Sequence, residues 1–260
     1  CEFPLDTALV AGLPRVELIA CFTSGHDGID VGWCRERGLK VSHAPGVNHE
    51  DVADHAIGLI LGSVRNIVSG DRALRAGGWT PDAKSLTPSL RGKRLGIVGL
   101  GAIGQAVARR AEVFGLEVAW WAPRDKAADW PRADSLIELA RQSDILVVAC
   151  RADETNRGLI SAEVIGALGS DGLLVNVARG QLIDEDALIA ALESGKLGAA
   201  ALDVFAEEPT DPARWADVPN TVLTPHTGGA TDQAVQAMLR LLLANLEAHF
   251  AGRDLVTEAR

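Results

Sequence analysis

The sequence predicts an α/β protein built on a parallel β-sheet. Three observations predict it. Short runs rich in Val, Ile and Leu alternate with longer amphipathic runs along most of the 260 residues. Gly and Asn punctuate the short runs, and the runs between them have helical length. Two short runs, Asp144–Ala149 and Gly172–Val177, carry consecutive rather than alternating apolar residues. Strands covered by helices on both faces have that pattern.

Taken in order, the expected strands are Arg15–Cys21, Arg94–Val98, Glu117–Trp121, Asp144–Ala149, Gly172–Val177, Gly198–Val204 and Thr221–Thr224. Between them, helical periodicity runs over Asp51–Ala76, Ala102–Phe114, Ser135–Arg141, Ser161–Leu168, Asp184–Ser194 and Thr231–Phe250. Strand–helix–strand units in series give parallel pairing. Two stretches lack a period. Residues 77–92 read as a linker, and Ala206–Pro219 reads as a long irregular connection of the kind that often carries function.

Composition narrows the function classes. The chain is 47% hydrophobic and 23% charged, ample for a buried core. Its longest apolar stretches, Ala56–Leu61, Leu95–Leu100 and Ile145–Cys150, fall far short of the roughly 20 residues of a membrane span. A net charge of −10 repels a phosphate backbone, so nucleic acid is not an expected partner. The chain does not open with a basic segment followed by an apolar one, so a secretion signal is not expected. Cys1, Cys21, Cys34 and Cys150 form no CxxC pair, and a reducing cytoplasm is the expected setting. His43, His49, His55 and His249 lack acid or Cys neighbours at metal-ligand spacing, so no metal site is expected.

Gly99-x-Gly101-x-x-Gly104 follows an expected strand and opens an expected helix, with a second strand after it. In that context Gly99 allows a tight turn and Gly101 lets the backbone approach a pyrophosphate. Gly104 lets helix and strand pack closely, and the helix N-terminus faces the phosphates. The motif therefore predicts a Rossmann-type dinucleotide-binding domain. An NAD-preferring site places a carboxylate at the end of the second strand to bind the ribose 2′-hydroxyl. Here that position is Ala122, and Arg124 stands two places on. A guanidinium grips a 2′-phosphate well, so NADP(H) is the preferred cofactor and NAD(H) the alternative. A solvent-facing Arg124 beside Asp125 and Lys126 is the plainer reading of the same residues.

From about Leu13 to Gly252 the chain resembles the D-isomer specific 2-hydroxyacid dehydrogenase family. Beyond the glycine fingerprint, the strings that carry the resemblance are Gly25-x-Asp27-x-Ile29-Asp30, Asn48 with Val52-Ala53-Asp54-His55, and Val175-Asn176-Val177-Ala178-Arg179-Gly180. Leu202-Asp203-Val204-Phe205 with Glu208-Pro209 follows, then Thr224-Pro225-His226-Thr227-Gly228-Gly229. The resemblance implies that His226 is the acid–base residue, that Glu208 pairs with it, and that Arg179 clamps the substrate carboxylate. It further implies substrate contacts from Ser24 and Gly25. Implied cofactor contacts come from Gly99, Gly101, Ala102, Ile103, Gly104, Arg124, Cys150, Thr155, Val177, Ala178, Asp203, His226 and Gly228. Asp203 would face the nicotinamide carboxamide, whereas Cys150 reads equally as a small packing residue.

Residue chemistry agrees with these roles. Ketone reduction needs a proton donor that titrates near neutrality, and a neighbouring carboxylate stabilises imidazolium. The coplanar oxygens of a 2-oxo acid match a guanidinium fork. Taken singly, Arg179, Glu208 and His226 also fit a cap, a loop acid and a turn histidine.

The expected architecture is a dinucleotide-binding domain over 48–226. A smaller, flavodoxin-like α/β substrate domain is assembled from 1–47 and 227–260, with the reaction in the cleft between them. That smaller domain is expected to be N-terminally incomplete, because the family's usual first strands do not precede Cys1. Two further departures are the short, charged stretch Cys150–Thr155 and Ser24, which favours a small polar substrate. The expected activity is reduction of glyoxylate or hydroxypyruvate to the D-2-hydroxy acid. The competing readings are an aryl-pyruvate or phosphoglycerate-type dehydrogenase and a nucleotide sensor without turnover. A homodimer is expected, supported by the aliphatic face of Ala53–Leu61 and by Trp79.

Overall fold

A computed structural model describes residues 5–80, 86–153 and 155–259. Cys1, residues 81–85 of the expected linker and Glu154 lie outside the described residues. The chain divides into two compact units, Cys1–His49 with Gly229–Arg260, and Glu50–Gly228.

The smaller unit holds α1 (Thr7–Ala11), β1 (Leu18–Ala20), α2 (Val31–Glu36) and β2 (Lys40–Ser42). The strands β1 and β2 pair in parallel, and the C-terminal tail adds an antiparallel bridge from Glu258 to Ser42. Sequence periodicity anticipates β1 at greater length and misses α1, α2 and β2, all too short for a period to register. What marks α2 is capping: the Asp30 carboxylate accepts Trp33 N–H at 2.8 Å. Cys21, Cys34 and Val41 pack one small core, and Ala44 packs a second with Ala234 and Met238 of the C-terminal helix.

The larger unit starts with α3 (His49–Val64) and α4 (Ile67–Arg75). One continuous helix is expected over this span. Asn66 interrupts it in the left-handed region, at φ 51°, which an Asn tolerates better than most residues. There follow β3 (Arg94–Val98), α5 (Ala102–Val113), β4 (Glu117–Trp121), α6 (Leu136–Gln142), β5 (Ile145–Val148), α7 (Ala162–Leu168) and β6 (Leu173–Asn176). The series closes with α8 (Glu185–Glu193), β7 (Ala199–Leu202), α9 (Pro212–Trp215), β8 (Thr221–Leu223) and then α10 (Asp232–Phe250), which belongs to the smaller unit. The connection 206–219 is therefore not structureless, since α9 lies within it, with Asp211 accepting Ala213 N–H as its cap.

Six strands form one all-parallel sheet in the order β4-β3-β5-β6-β7-β8. Helices cover both faces. Leu146, Val148, Leu174 and Leu202 point to the core shared with α6, α7 and α8, whereas Ile97, Val147, Val175 and Ala201 point to the one shared with α3 and α5. The Ala53–Leu61 face belongs to this second core: Ala53, Ala56 and Ile60 are fully buried, so that face does not lie open for a partner. Trp79 does, at 75% exposure.

Register fixes where function can sit. Trp121, Val98, Val148, Asn176, Leu202 and Leu223 lie in one row across the sheet. One step past that row come Ala122, Gly99, Ala149, Val177, Asp203 and Thr224. Chain direction reverses its progress across the sheet at β3 and β5, the switch point where open α/β sheets bind ligands beyond their carboxyl ends.

Candidate active site

At the switch point the three glycines have separate steric reasons. Gly99 has φ 92°, and a Cβ there would lie 2.5 Å from the Cα of Cys150. A Cβ on Gly104 would lie 2.2 Å from the carbonyl oxygen of Gly99, so α5 lies against the turn only because the side chain is missing. Gly101 caps α5 and faces open space, with nothing within 4 Å of a built Cβ. Ala102 beside it is exposed and Ile103 half-buried. An open, exposed helix N-terminus over a glycine turn fits a pyrophosphate. Val177 and Ala178 are buried at the end of β6. Cys150 packs against the glycine turn, and burial pushes its thiol up to about 11. Thr155 is exposed, and both its amide and its hydroxyl donate to Asp153, at 2.8 and 2.5 Å.

Beyond β4, Arg124 is exposed and no side-chain hydrogen bond or ion pair engages it among the described residues. Two other cations there are anchored. Lys126 Nζ donates to the carbonyl of Leu100 at 2.8 Å, and Arg132 donates to that of Ala122 at 2.9 Å.

The catalytic candidates meet at the ends of β6, β7 and β8. His226 Nδ1 lies 2.6 Å from Glu208 Oε2, and the other oxygen of Glu208 accepts Phe205 N–H at 2.9 Å. Burial raises the Glu208 carboxyl, but the His226 hydrogen bond, the Phe205 amide and the charges of His226 and Arg179 outweigh it, holding the group below its ordinary range. Glu208 is thus an anion that fixes Nδ1–H as the donor and leaves Nε2 to carry the second proton. Arg179 sits on a loop set by Asn176, which is fully buried. Asn176 accepts Ala178 N–H at 3.0 Å and donates to the Arg179 carbonyl at 2.9 Å.

Asp203 builds the turn that carries His226. One oxygen accepts Thr224 Oγ1–H at 2.6 Å and Thr227 N–H at 2.9 Å; the other accepts Gly228 N–H at 2.8 Å. His55 Nε2 adds contacts to Thr224 Oγ1 at 2.9 Å and to Asp203 at 3.3 Å. Burial opposes ionisation of Asp203, yet these donors hold its carboxyl below the ordinary value. His226 itself takes φ 52°, with its N–H on the Asp203 carbonyl at 2.8 Å. A Cβ on Gly228 would lie 2.8 Å from the Asp203 carboxylate, so the turn closes only on glycine.

In the smaller unit, Ser24 spends its hydroxyl internally, on the Ala44 carbonyl at 2.7 Å and Asn48 Oδ1 at 3.2 Å. Thr23 Oγ1 donates to the Gly25 carbonyl at 2.8 Å. The Ser24 hydroxyl therefore shapes its loop, which accounts for it without a polar substrate. Among the described residues no cluster of His, Cys, Asp and Glu could hold a metal ion.

Asn176, His55 and Lys126 hold contacts at these strand ends for which sequence reasoning gives no role. A polar residue inside an apolar strand was a readable signal for Asn176. His55 stands in one of the strings that carry the resemblance, but nothing local signals its contact, because its partner is 148 positions away in Asp203.

A family profile described as D-isomer specific 2-hydroxyacid dehydrogenase, NAD binding domain, matches residues 57–228. The chain belongs to this family. The glyoxylate/hydroxypyruvate reductase A of Arabidopsis thaliana is 44% identical over 97% of this chain and 81% of its own length. A hydroxyphenylpyruvate reductase of Plectranthus scutellarioides is 43% identical over the same shares. Among solved structures, an NADPH-dependent glyoxylate/hydroxypyruvate reductase of Sinorhizobium meliloti, in complex with NADP and malonate, superposes with a TM-score of 0.92. It is 37% identical, covering 99% of this chain and 82% of that one. As a 2-hydroxyacid dehydrogenase the protein is an oxidoreductase, and Glu50–Gly228 is its Rossmann-type nucleotide-binding unit. No helix of the described residues is long and apolar enough to cross a membrane.

Proposed function

We propose that this dehydrogenase reduces a small 2-oxo acid of the glyoxylate or hydroxypyruvate class to the D-2-hydroxy acid, preferring NADP(H) over NAD(H). The observation that carries the reading is the 2.6 Å pair of His226 and Glu208 within the field of Arg179. The glycine turn with Gly101, Ala102 and Ile103 would hold the pyrophosphate, Arg124 a 2′-phosphate, and Val177, Ala178, Asp203 and Gly228 the nicotinamide end. Cys150 and Thr155 are assigned to the wall of that site. When bound, the cofactor supplies hydride.

The residues of the chain do the rest. Arg179 binds the substrate carboxylate and polarises the 2-oxo group, with the Ser24–Gly25 loop assigned to the same carboxylate. Glu208 holds the His226 ring and its positive charge. His226 Nε2 delivers the proton to the ketone oxygen as that oxygen gains charge, which is general acid catalysis. In the reverse direction the neutral ring takes the proton back.

Initial rates with NADPH and NADH on glyoxylate, hydroxypyruvate and 4-hydroxyphenylpyruvate test this reading. Expected are faster turnover with NADPH and with the two small acids. Arg124→Ala should cut the NADPH-to-NADH preference at least about tenfold, the worth of one charge-assisted phosphate contact. An unchanged ratio removes Arg124 from the reading. Faster turnover of the aryl acid would favour the second reading, an aryl-pyruvate reductase, which the Plectranthus relative supports. We further propose a homodimer, supported by the exposed Trp79 and Leu86 and checked by sedimentation, and a cytoplasmic setting, supported by cysteines that form no CxxC pair.

A further inference from the structure

The segment that carries Glu208 leaves β7 at Leu202 and has no helix until Pro212, so something outside it must fix the direction of the carboxylate. One acid that the reaction does not use lies against it. Glu185, the first residue of α8, is only 8% exposed. Its Oε1 accepts Ala206 N–H at 2.6 Å, and its Oε2 accepts Arg214 Nε–H at 3.2 Å. Arg214 reaches on to Asp186 at 2.7 Å.

The neighbouring amide, Phe205 N–H, donates to Glu208. Two consecutive amides therefore point at two carboxylates, Phe205 at Glu208 and Ala206 at Glu185. The two amides lie in adjacent peptides that share the Cα of Phe205, so the dihedral angles of that one residue set the direction of both bonds. The third side is closed by Gly180, where a Cβ would lie 1.8 Å from the carbonyl carbon of Phe205. An acid in the first turn of a helix is ordinarily explained by the helix dipole. That account leaves the burial of Glu185, its short bond across to residue 206 and its arginine unexplained.

We propose that Glu185, braced by Arg214, is a positioning residue for proton transfer: it fixes the Ala206 amide and, through the backbone of Phe205, the neighbouring amide that orients Glu208 towards His226. The proposal rests on the reading of Glu208 and His226 as the acid–base pair. Its consequence is specific. Without Glu185 the Ala206 amide is released, the backbone at Phe205 relaxes and its amide moves off Glu208, which swings away, and the imidazolium loses its closest anion. Less His226 is then protonated at a given pH, and the high-pH limb of the reduction profile moves to lower pH. A role in folding alone would scale activity equally at every pH and leave the limb in place.

The test compares Glu185→Ala, Glu185→Gln and Arg214→Met in the full chain. The readouts are the pH profile of kcat, KM for the oxo acid and the cofactor, and an imidazole NMR titration of His226 without cofactor. For Glu185→Ala the limb and the titration should move down by about one unit, the usual effect of losing a close opposite charge, with kcat at pH 7.5 falling roughly tenfold. Cofactor KM should stay within about twofold, because the glycine turn is untouched. Glu185→Gln should recover most of the loss, since its amide oxygen still accepts Ala206 N–H. If Glu185→Ala does not fold, a smaller downward shift in Arg214→Met carries the same prediction. An unmoved limb and titration in the folded variants overturn the proposal. Full activity in His226→Asn would instead overturn the acid–base reading beneath it.

Discussion

The glycine turn after β3 and the histidine turn after β8 sit at the same edge of one sheet, yet they are specified by opposite means. Around Gly99, Gly101 and Gly104 the shape exists because side chains are missing, and every reason lies within a few residues or in the facing strand end at Cys150. Around His226 the shape exists because side chains are present. Asp203 holds Thr224 and Gly228 from 21 and 25 positions away, and His55 reaches Thr224 across 169. A turn made of absences is local and tolerates little addition. A turn made of hydrogen bonds draws in at least one distant residue, His55, and depends on charge.

Substitutions should separate the two. The largest effect is expected of His226→Asn, which keeps a residue tolerant of φ 52° and removes the proton donor. Reductive kcat should fall on the order of a thousandfold while fluorescence titration shows NADPH affinity unchanged. Gly104→Ala should do the reverse. Its Cβ drives α5 off the turn, so calorimetry should show a loss of about 1–3 kcal/mol of stability. Nucleotide affinity should collapse with it, whereas the His226 titration of the folded fraction stays in place. Affinity surviving in Gly104→Ala would mean that the turn yields more than its contacts allow.

A smaller and pH-dependent effect belongs to Asp203 and Glu208. Both carboxyls are held below their ordinary values in the folded state, so the unfolded chain binds protons first as pH falls. Their stabilisation is then complete above the unfolded values and is lost as pH drops through and below about 4. Asp203→Asn should lower the melting temperature at neutral pH and flatten its decline between roughly pH 5 and 3. An equally steep decline in that variant would move the acid sensitivity elsewhere, Asp144 with its Arg94 partner being the next candidate.

The same contrast explains what could be read from the sequence. The glycine turn, the strands of the large sheet and the polar residue types at their ends are legible because their signals are local or periodic. Arg179, Glu208 and His226 could be singled out, but only through strings in a known order, since singly each has a plainer use. The break at Asn66 was not legible, because the apolar pattern continues across it from α3 into α4. Nor was the burial of the Ala53–Leu61 face, since a helical stripe is the same whether it meets a core or a partner. His55 and Glu185 are ordinary helix residues until the sheet brings β7 and β8 beside them.

Cys150 carries a practical consequence. A thiol held near 11 exists at neutral pH as thiolate in only about one molecule in ten thousand, and thiolate is the form that electrophiles and peroxides attack. The residue whose backbone lies against the Gly99 turn therefore carries a thiol that is chemically quiet at neutral pH. Alkylation of Cys150 should be slow at pH 7 and quicken about tenfold per pH unit as the pH approaches 11, readable by mass spectrometry with no substrate present.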